Sequence, residues 1–417
     1  MVSSTEKKMD RRTFLKAAGM GSASLAISTG LTSKLLNAGA AQENPSDNEV
    51  MPTRVFGRTG FLISILSLGG GLDWTMKKGL LRMAFKMGIN FWDSSYNYAN
   101  GKSELGIGQY FEKYPEDRKK VLLASKPSLG EVKRMSDQLH NSLERLKMDY
   151  LDLYLLHGVD KPEILTPEVK AWAERLKKEG RIRFFGFSCH ANMAQMLTHS
   201  AKIGWVDAIM PAYNFNIMND DETHRAIDAC YKAGIGLVAM KSQGLTPYVE
   251  EPFRPLGPVK DEDMMVTESF MAKGCTLQQA KIKAIWTDER IASCVSQITN
   301  FTILKSNVDA ATDRIKLSGS DMEMLSRLAR SNRSLYCQGC MRCASVTASE
   351  CRIHDIMRYM MYYDAYGERD RARRLFRELP ASVRNGLASR DYSLAENECP
   401  RSIKIGSMMR RASKVLG

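Results

Sequence analysis

The chain has 417 residues, of which 44% are hydrophobic and 26% are charged, and its formal net charge is +13. This length, without any periodic low-complexity tract, is sufficient for one large globular domain with an appendage. No run approaches the roughly 20 apolar residues that span a bilayer, which excludes a transmembrane segment in the mature protein.

The N-terminal 40 residues have the order of zones typical of an export signal. A basic region with Arg11 and Arg12 in the run RRTFLK precedes a weakly apolar stretch rich in Ala, Gly and Ser, and AGAA offers a cleavage site after Ala40. The run resembles a twin-arginine (Tat) signal. We therefore expect residues 1–40 to be read by the Tat export machinery, residues 41–51 to be a linker, and the mature protein to be periplasmic or otherwise extracytoplasmic.

From residue 52 the chain alternates between short apolar runs and segments with helical spacing. Eight buried strands separated by helices in about 250 residues favour a (β/α)8 TIM barrel over an open sheet. We predict an α/β barrel over residues 52–318, with strands at 62–68, 89–93, 121–126, 151–157, 182–188, 206–212, 235–241 and 292–298.

Polar side chains stand at or just beyond the ends of consecutive predicted strands. Asp93, Lys126 and His157 end three of these runs, Tyr98 follows closely after the first, and Ser188 ends the next run. In a (β/α)8 barrel the carboxyl ends of the strands form the active face. Any one of these residues is compatible with a structural role, but four appropriate groups on three consecutive strands predict a catalytic site.

The same region resembles the aldo-keto reductase superfamily over roughly residues 52–316. The motifs that carry the resemblance are GINFWDSSYNYANGKSELGIG, VLLASKP, YLDLYLLHG, GRIRFFGFS and PAYN. The resemblance implies that Asp93, Tyr98, Lys126 and His157 are the catalytic residues. In that chemistry Lys126 stabilises the phenolate of Tyr98, Asp93 pairs with Lys126, and His157 orients the substrate oxygen.

The resemblance also implies a nicotinamide cofactor, NADP or NAD, without deciding between them. This chain departs from the family pattern, because Cys189 replaces the Asn that usually follows the strand-end Ser, and Met210 replaces a common Gln. These departures favour a tightly bound cofactor over a freely exchanging one. The predicted cofactor contacts are Ser188, Tyr213, Lys241 and Asn307.

Five of the nine cysteines lie after residue 336, and three of them form the spacing C-x2-C-x2-C. A disulfide set suits an exported protein and zinc tolerates C-x2-C pairs, but three cysteines at this interval are more typical of an iron–sulfur cluster. We predict one [4Fe–4S] cluster held by Cys337, Cys340, Cys343 and Cys399, with Cys351 as the alternative fourth ligand.

Residues 319–417 resemble the ferredoxin-like C-terminal extension of some bacterial aldo-keto reductases. We therefore expect a small, mainly helical iron–sulfur module there. It carries 18 Lys and Arg against 11 Asp and Glu. Because no nucleic-acid-binding module accompanies this charge, nucleic acid is not expected as a partner, and an acidic electron-carrier protein suits it better.

These features together predict an exported oxidoreductase that interconverts carbonyl and alcohol groups on a small metabolite or sugar, with the cluster as an electron relay. Two other hypotheses stay open. One is a non-catalytic barrel that binds a partner protein, and the other is an epimerase that uses a tightly bound nicotinamide. Bound nucleotide and carbonyl reduction discriminate between the first of these and an enzyme.

Overall fold

The computed structural model describes residues 50–244, 261–347 and 351–417. The predicted signal at 1–40, and all but the last two residues of the predicted linker at 41–51, lie outside the described residues. None of the helices in the described ranges has the length and hydropathy that crossing a bilayer requires.

Strands β3 to β10 form a closed barrel in which every neighbouring pair is parallel. This confirms the predicted α/β barrel. The strands are β1 Thr53–Val55, β2 Leu62–Ser64, β3 Leu66–Leu68, β4 Phe91–Asp93, β5 Leu122–Ser125, β6 Leu151–Leu156, β7 Ile182–Cys189, β8 Ala208–Pro211, β9 Gly236–Ala239 and β10 Ser293–Ser296.

The first predicted strand, 62–68, forms two strands with different partners. Leu62–Ser64 pairs antiparallel with Thr53–Val55, whereas Leu66–Leu68 enters the barrel beside β10 and β4. The hairpin covers the N-terminal end of the barrel, because the Arg54 guanidinium donates to backbone oxygens just before β10. One apolar run therefore contributes a strand to the hairpin and a strand to the barrel wall.

Helices follow most barrel strands, and further helices form the C-terminal region. The α-helices in the described ranges are α1 Lys78–Lys86, α2 Lys102–Lys113, α3 Pro115–Arg118, α4 Val132–Leu146, α5 Pro167–Lys178, α6 Met193–Ile203, α7 Asp221–Lys232, α8 Asp261–Ala272, α9 Leu277–Trp286, α10 Phe301–Thr312, α11 Gly319–Ser331, α12 Ile353–Asp364, α13 Arg369–Arg377, α14 Ala381–Arg384, α15 Ser393–Asn397 and α16 Ile405–Leu416.

Close strand packing requires glycine at one position of the barrel wall. A Cβ atom on Gly186, in β7, would lie 1.8 Å from the backbone oxygen of Ala208 in β8. We expect Gly186→Ala to lower the free energy of unfolding by about 3 kcal/mol, because two hydrogen-bonded strands would have to separate. Urea unfolding followed by circular dichroism measures this change.

Gly79 is the matched control for that substitution. It lies in helix α1, and a Cβ atom there would meet nothing within 4 Å. Gly79→Ala is therefore expected to be neutral or to stabilise by up to about 1 kcal/mol. Equal effects of the two substitutions would contradict the tight packing of β7 against β8.

The C-terminal region has a hydrophobic core of its own. That core includes Ile356, Phe376, Leu387 and Met409, all deeply buried. Helix α11, which the domain prediction placed in the C-terminal module, packs instead with helices α8 and α9 around Phe270. Helix α11 therefore shares a hydrophobic core with helices α8 and α9. The separate core of the C-terminal region is built from residues after helix α11.

The C-terminal module contacts the face of the barrel where the strands end. The backbone N–H of Asn192 donates to Gly339 O at 2.6 Å, and Asn214 Nδ2 donates to the Tyr336 hydroxyl at 3.0 Å. On the other side of the mouth Gln297 Nε2 donates to Glu368 Oε1 at 3.1 Å. Polar contacts thus anchor the module across the predicted active face.

Candidate active site

The four predicted catalytic residues come from three adjacent strands. Asp93 ends β4, Lys126 and His157 follow β5 and β6 directly, and Tyr98 begins a short 3-10 helix after β4. The structure brings all four together. The Lys126 ammonium, 1% exposed, donates to the Asp93 carboxylate and to the backbone oxygen of Ser94 at 2.8 Å. This pair is fixed in the barrel interior.

The Tyr98 ring lies between the lysine and the histidine. Nζ of Lys126 is 4.9 Å from the centroid of the Tyr98 ring. The rings of Tyr98 and His157 meet edge to face, with centroids 5.6 Å apart and planes at 86°. Such contacts hold the phenol at the opening of the barrel with a cation on one side.

Two opposing effects set the proton affinity of Tyr98. Burial raises the pKa of the phenol above its ordinary value, and Lys126 offsets part of that rise. Burial by itself would lower the pKa of the Lys126 ammonium, but Asp93 and Tyr98 raise it above the ordinary value. At neutral pH the phenol therefore keeps its proton and the lysine keeps its charge, which is the state of a general acid.

His157 is held by Ser95, a residue that the sequence analysis missed. Nδ1 of His157 lies 3.1 Å from the Ser95 hydroxyl. The same hydroxyl lies 3.1 Å from the backbone oxygen of Lys126, so Ser95 links the imidazole to the end of β5 and fixes the orientation of the ring. Ser95 occurs only two positions after Asp93 in the DSSYNY run, and this proximity was the one signal that could have identified it.

His157 also makes folding stability depend on pH. Burial, followed by Lys126 and Arg371, lowers the pKa of its imidazole well below the ordinary value. In the unfolded chain His157 takes up a proton near pH 6.5, whereas in the folded protein it does not. The free energy of unfolding therefore decreases as pH falls below about 6.5. We expect His157→Gln to remove about 1.4 kcal/mol per pH unit of that loss between pH 6 and pH 5.

Urea unfolding at several pH values checks this prediction. His140→Gln is the control, because the side chain of His140 is 65% exposed on helix α4. The same pH dependence in wild type and His157→Gln would contradict the buried, uncharged imidazole.

Each of the four predicted cofactor contacts has a partner in the protein. Ser188, at the end of β7, accepts from the backbone N–H of Gly158 at 3.0 Å. The Tyr213 hydroxyl donates to Asp288 at 2.8 Å, and Asn307 Nδ2 donates to the Ser296 hydroxyl at 2.8 Å. Lys241 turns to the C-terminal module, where its Nζ lies 4.4 Å from the ring centroid of Tyr362. Ser188 is on β7, which pairs with β6, the strand that His157 follows directly.

Helices α12 and α13 cover the catalytic residues, which the sequence did not indicate. The Arg371 guanidinium lies 4.7 Å from the Tyr362 ring centroid, and the charge of Arg371 acts on both Tyr98 and His157. Tyr362 is buried, and Lys241, Arg358 and Arg371 outweigh that burial and lower its pKa to about 8. The catalytic site therefore has a cationic cover contributed by the module.

Four cysteines line one small cavity within the module. They are Cys337, Cys340, Cys343 and Cys399. Burial raises the pKa of the Cys337 thiol to about 12, and the backbone amides of Gly339 and Arg342 hydrogen-bond the sulfurs of Cys337 and Cys340. All nine cysteines are free thiols. The structure thus places these four around a common space.

Cys351 lies elsewhere. It is 6% exposed and lies in the separate hydrophobic core of the C-terminal region, where its sulfur accepts from Arg390 Nη1 at 3.2 Å. In the parts of the chain that the structure describes, no group of three or more His, Cys, Asp or Glu side chains is arranged to hold a metal ion. The four cavity thiols surround a space and do not converge on one point.

Comparison with known proteins agrees with the barrel and shows the family of the chain. The aldo/keto reductase family matches residues 67–292, just over half of the chain. The chain belongs to the aldo/keto reductase family. It is accordingly an oxidoreductase, and Asp93, Tyr98, Lys126 and His157 lie within the matched region. The C-terminal module lies beyond it.

Curated relatives of this aldo/keto reductase span most of the barrel. It is 23% identical over 299 residues to L-galactose dehydrogenase of Arabidopsis thaliana, covering 66% of this chain and 92% of that one. It is 22% identical over 316 residues to aldo-keto reductase AFTS1 of Alternaria alternata, covering 61% and 86%.

A solved structure agrees with the fold of this aldo/keto reductase. Aldo-keto reductase from Klebsiella pneumoniae in complex with NADPH superposes with a TM-score of 0.54 at 24% identity, covering 67% of this chain and 95% of that one. At this identity the similarity establishes the barrel.

Proposed function

We propose that this aldo/keto reductase is exported and interconverts a carbonyl and an alcohol on a small metabolite or sugar, with a nicotinamide and a [4Fe–4S] cluster as its redox groups. The observation that carries the proposal is the assembled tetrad, in which a protonated Tyr98 lies beside the charged Lys126. Membership of the family and a relative bound to NADPH support NADP as the nicotinamide.

In the direction of reduction, Tyr98 donates its proton to the carbonyl oxygen as the C=O π bond breaks. The Lys126 ammonium stabilises the phenolate that remains, and Asp93 keeps that ammonium in place. His157, whose ring meets that of Tyr98 edge to face, orients the same oxygen. When bound, a nicotinamide supplies the hydride that adds to the carbonyl carbon.

The described residues fit the nicotinamide only in part. Ser188 lies beside the tetrad and is the residue that we propose holds the carboxamide. Tyr213 and Asn307 have partners in the protein that a dinucleotide would replace, whereas Lys241 lies against Tyr362 of the C-terminal module. The cover formed by helices α12 and α13 would exclude water from the reacting groups and slow the release of a bound nucleotide. Slow release suits a cofactor that is exported from the cytoplasm together with the folded protein.

The cysteine cavity fits a cluster. Its four thiols line one space, and amide donors point at two of the sulfurs. A multi-atom cluster suits thiols around a cavity, whereas a zinc ion requires four ligands that converge. Cys337, Cys340, Cys343 and Cys399 would hold the cluster, which supplies one-electron transfer. Cys337 also lines the cavity beside the barrel mouth, which supports a relay between the module and the barrel.

Export through the Tat route follows from the twin arginines. Because that route carries folded proteins, a cluster and a nucleotide inserted beforehand would cross with the chain. Cell fractionation tests this part of the proposal. Changing Arg11 and Arg12 together to lysine is expected to retain the protein in the cytoplasm, and unchanged export would contradict it.

Anaerobic purification of the full chain tests the redox proposal. We expect a coloured protein with iron and sulfide, bound or exchangeable NADP(H), and reduction of small aldehydes. A colourless protein with stoichiometric zinc would overturn the cluster. Absence of both nucleotide binding and carbonyl reduction would overturn the carbonyl chemistry and favour a partner-binding barrel.

A further inference from the structure

A second cavity, partly open to solvent, lies between the C-terminal module and the strand ends of the barrel. His190, Ala212 and Lys241 line it from the barrel. From the module it is lined by helix α12 and by the loop at 335–339. None of the four catalytic residues lines this cavity, so it is a compartment next to the reaction site.

The charged groups that line the cavity are mainly basic. They are the cations Lys241 and Arg358 against one acid, Asp364, and the imidazoles of His190 and His354 line the cavity as well. The Asp364 carboxylate is already paired, because both Nη atoms of Arg411 donate to it at 2.5 and 2.6 Å. The lining therefore contains more positive charge than its own acid can balance.

His354 and Arg358 differ in how completely their nitrogen atoms are paired with protein groups. His354 has carboxylates nearby, at 3.4 Å from Asp355 and 3.7 Å from Asp160. Arg358 donates from Nη2 to Asp355 at 2.7 Å, but its buried Nε has no hydrogen-bond partner among the described residues. The Arg358 side chain lines the cavity, and an anion there would accept a charge-assisted hydrogen bond from its guanidinium.

The rest of the wall is largely apolar. Methionines dominate it, with Met357, Met360, Met361 and Met408 facing the space together with Leu335. Methionine side chains adapt to ligands of different shape and contact aromatic rings favourably. The cavity thus joins a cationic end to a flexible apolar surface.

The cationic end acts on the catalytic centre. Burial is the main reason why the pKa of His157 is low, and Arg358 and Lys241 are among the cations that lower it further. The pKa of His190 is lowered by burial and by the same two residues. A bound anion would relieve this positive potential at a position close to the reacting carbonyl.

We propose that this cavity binds an acid group of the substrate, so that the enzyme acts on carbonyl compounds with a carboxylate on an apolar body. The proposal rests on the carbonyl chemistry proposed above. The carboxylate would accept from the Arg358 guanidinium and from Lys241, and the apolar body would lie on the methionines with its carbonyl toward Tyr98 and His157.

A matched pair of aldehydes tests the inference with the full mature chain, purified anaerobically. 4-Carboxybenzaldehyde and 4-formylbenzamide differ in charge and little in shape. We expect kcat/KM for the acid to exceed that for the amide by about tenfold or more, because charge-assisted hydrogen bonds are the stronger ones. Calorimetric titration with benzoate and benzamide measures binding independently of turnover.

Arg358→Met is expected to raise KM for the acid and reduce the acid-to-amide ratio to near one. Lys241→Met, expected to act in the same direction, covers the case in which Arg358→Met does not fold. Arg374→Met is the charge-matched control, because Arg374 is on helix α13, half exposed and next to Glu378. The control is expected to keep the wild-type ratio.

The outcomes separate this inference from the proposed chemistry. Equal turnover of both aldehydes without benzoate binding would overturn the carboxylate site and leave the carbonyl chemistry standing. If neither aldehyde is reduced, the carbonyl chemistry fails, and benzoate binding that depends on Arg358 still supports the site. Binding of inorganic pyrophosphate in place of benzoate would assign the cavity to a nucleotide phosphate and overturn the inference.

Discussion

Replacing Tyr98 with phenylalanine is expected to lower kcat for carbonyl reduction by about 10²–10⁴-fold, the usual contribution of a positioned general acid. The substitution removes one oxygen and keeps the ring, so the edge-to-face contact with His157 and the position over Lys126 remain. Binding of substrate is expected to change much less than turnover. Steady-state kinetics with a small aldehyde and the nicotinamide found in the purified protein measure the loss.

Tyr96→Phe is the control for this substitution, since it removes the same atom two residues earlier on the same loop. The ring of Tyr96 contacts Arg145, whose Cζ lies 4.4 Å from the ring centroid, and that contact does not require the hydroxyl. Near-normal turnover is expected. Turnover of Tyr98→Phe close to that of wild type would contradict the assignment of Tyr98 as the proton donor. Unchanged circular dichroism would show that its loss of activity is chemical.

Replacing Cys399 with serine is expected to remove most of the iron and sulfide from the purified protein. Cys399 faces the same cavity as Cys337, Cys340 and Cys343, so the substitution would remove one of four proposed ligands. Loss of groups that merely orient a ligand costs about 10–100-fold in metal affinity, so loss of a ligand is expected to cost more. Iron and sulfide analysis and the visible absorption spectrum measure the effect.

Cys351→Ser is the matched control, because it makes the same change at a buried thiol outside that cavity. Its sulfur accepts from Arg390, and a serine oxygen keeps this hydrogen bond. We expect full iron content and a loss of about 1 kcal/mol in stability. The reverse pattern, with iron lost from Cys351→Ser and kept in Cys399→Ser, would overturn the proposed ligand set.

The barrel was predictable from the sequence because its strands are short apolar runs at regular intervals, and buried parallel strands have that composition. One boundary was not predictable. The run at 62–68 is continuous in hydrophobicity, and only pairing with Thr53–Val55 shows that its first half belongs to the hairpin. A periodic pattern indicates that a strand is buried but does not identify its partner.

The tetrad was predictable because barrel geometry brings the ends of neighbouring strands together. The cofactor contacts were less predictable than the tetrad. Tyr213 and Asn307 have residue types that suit a nucleotide, but their hydroxyl and amide groups bond Asp288 and Ser296. Residue type cannot show which neighbour a side chain satisfies, since buried polar groups take whichever partner the packing provides.

The sequence by itself determined the parallel barrel, the residue types of the tetrad and the cysteine spacing, because these depend on local periodicity and on strand order. Only the tertiary structure decided that helices α12 and α13 cover the barrel mouth and that Cys399, and not Cys351, faces the three closely spaced cysteines. It also decided that Arg358, Arg371 and Lys241 surround the catalytic site. The physical reason is that these contacts join residues more than fifty positions apart through packing that leaves no repeating pattern in the chain.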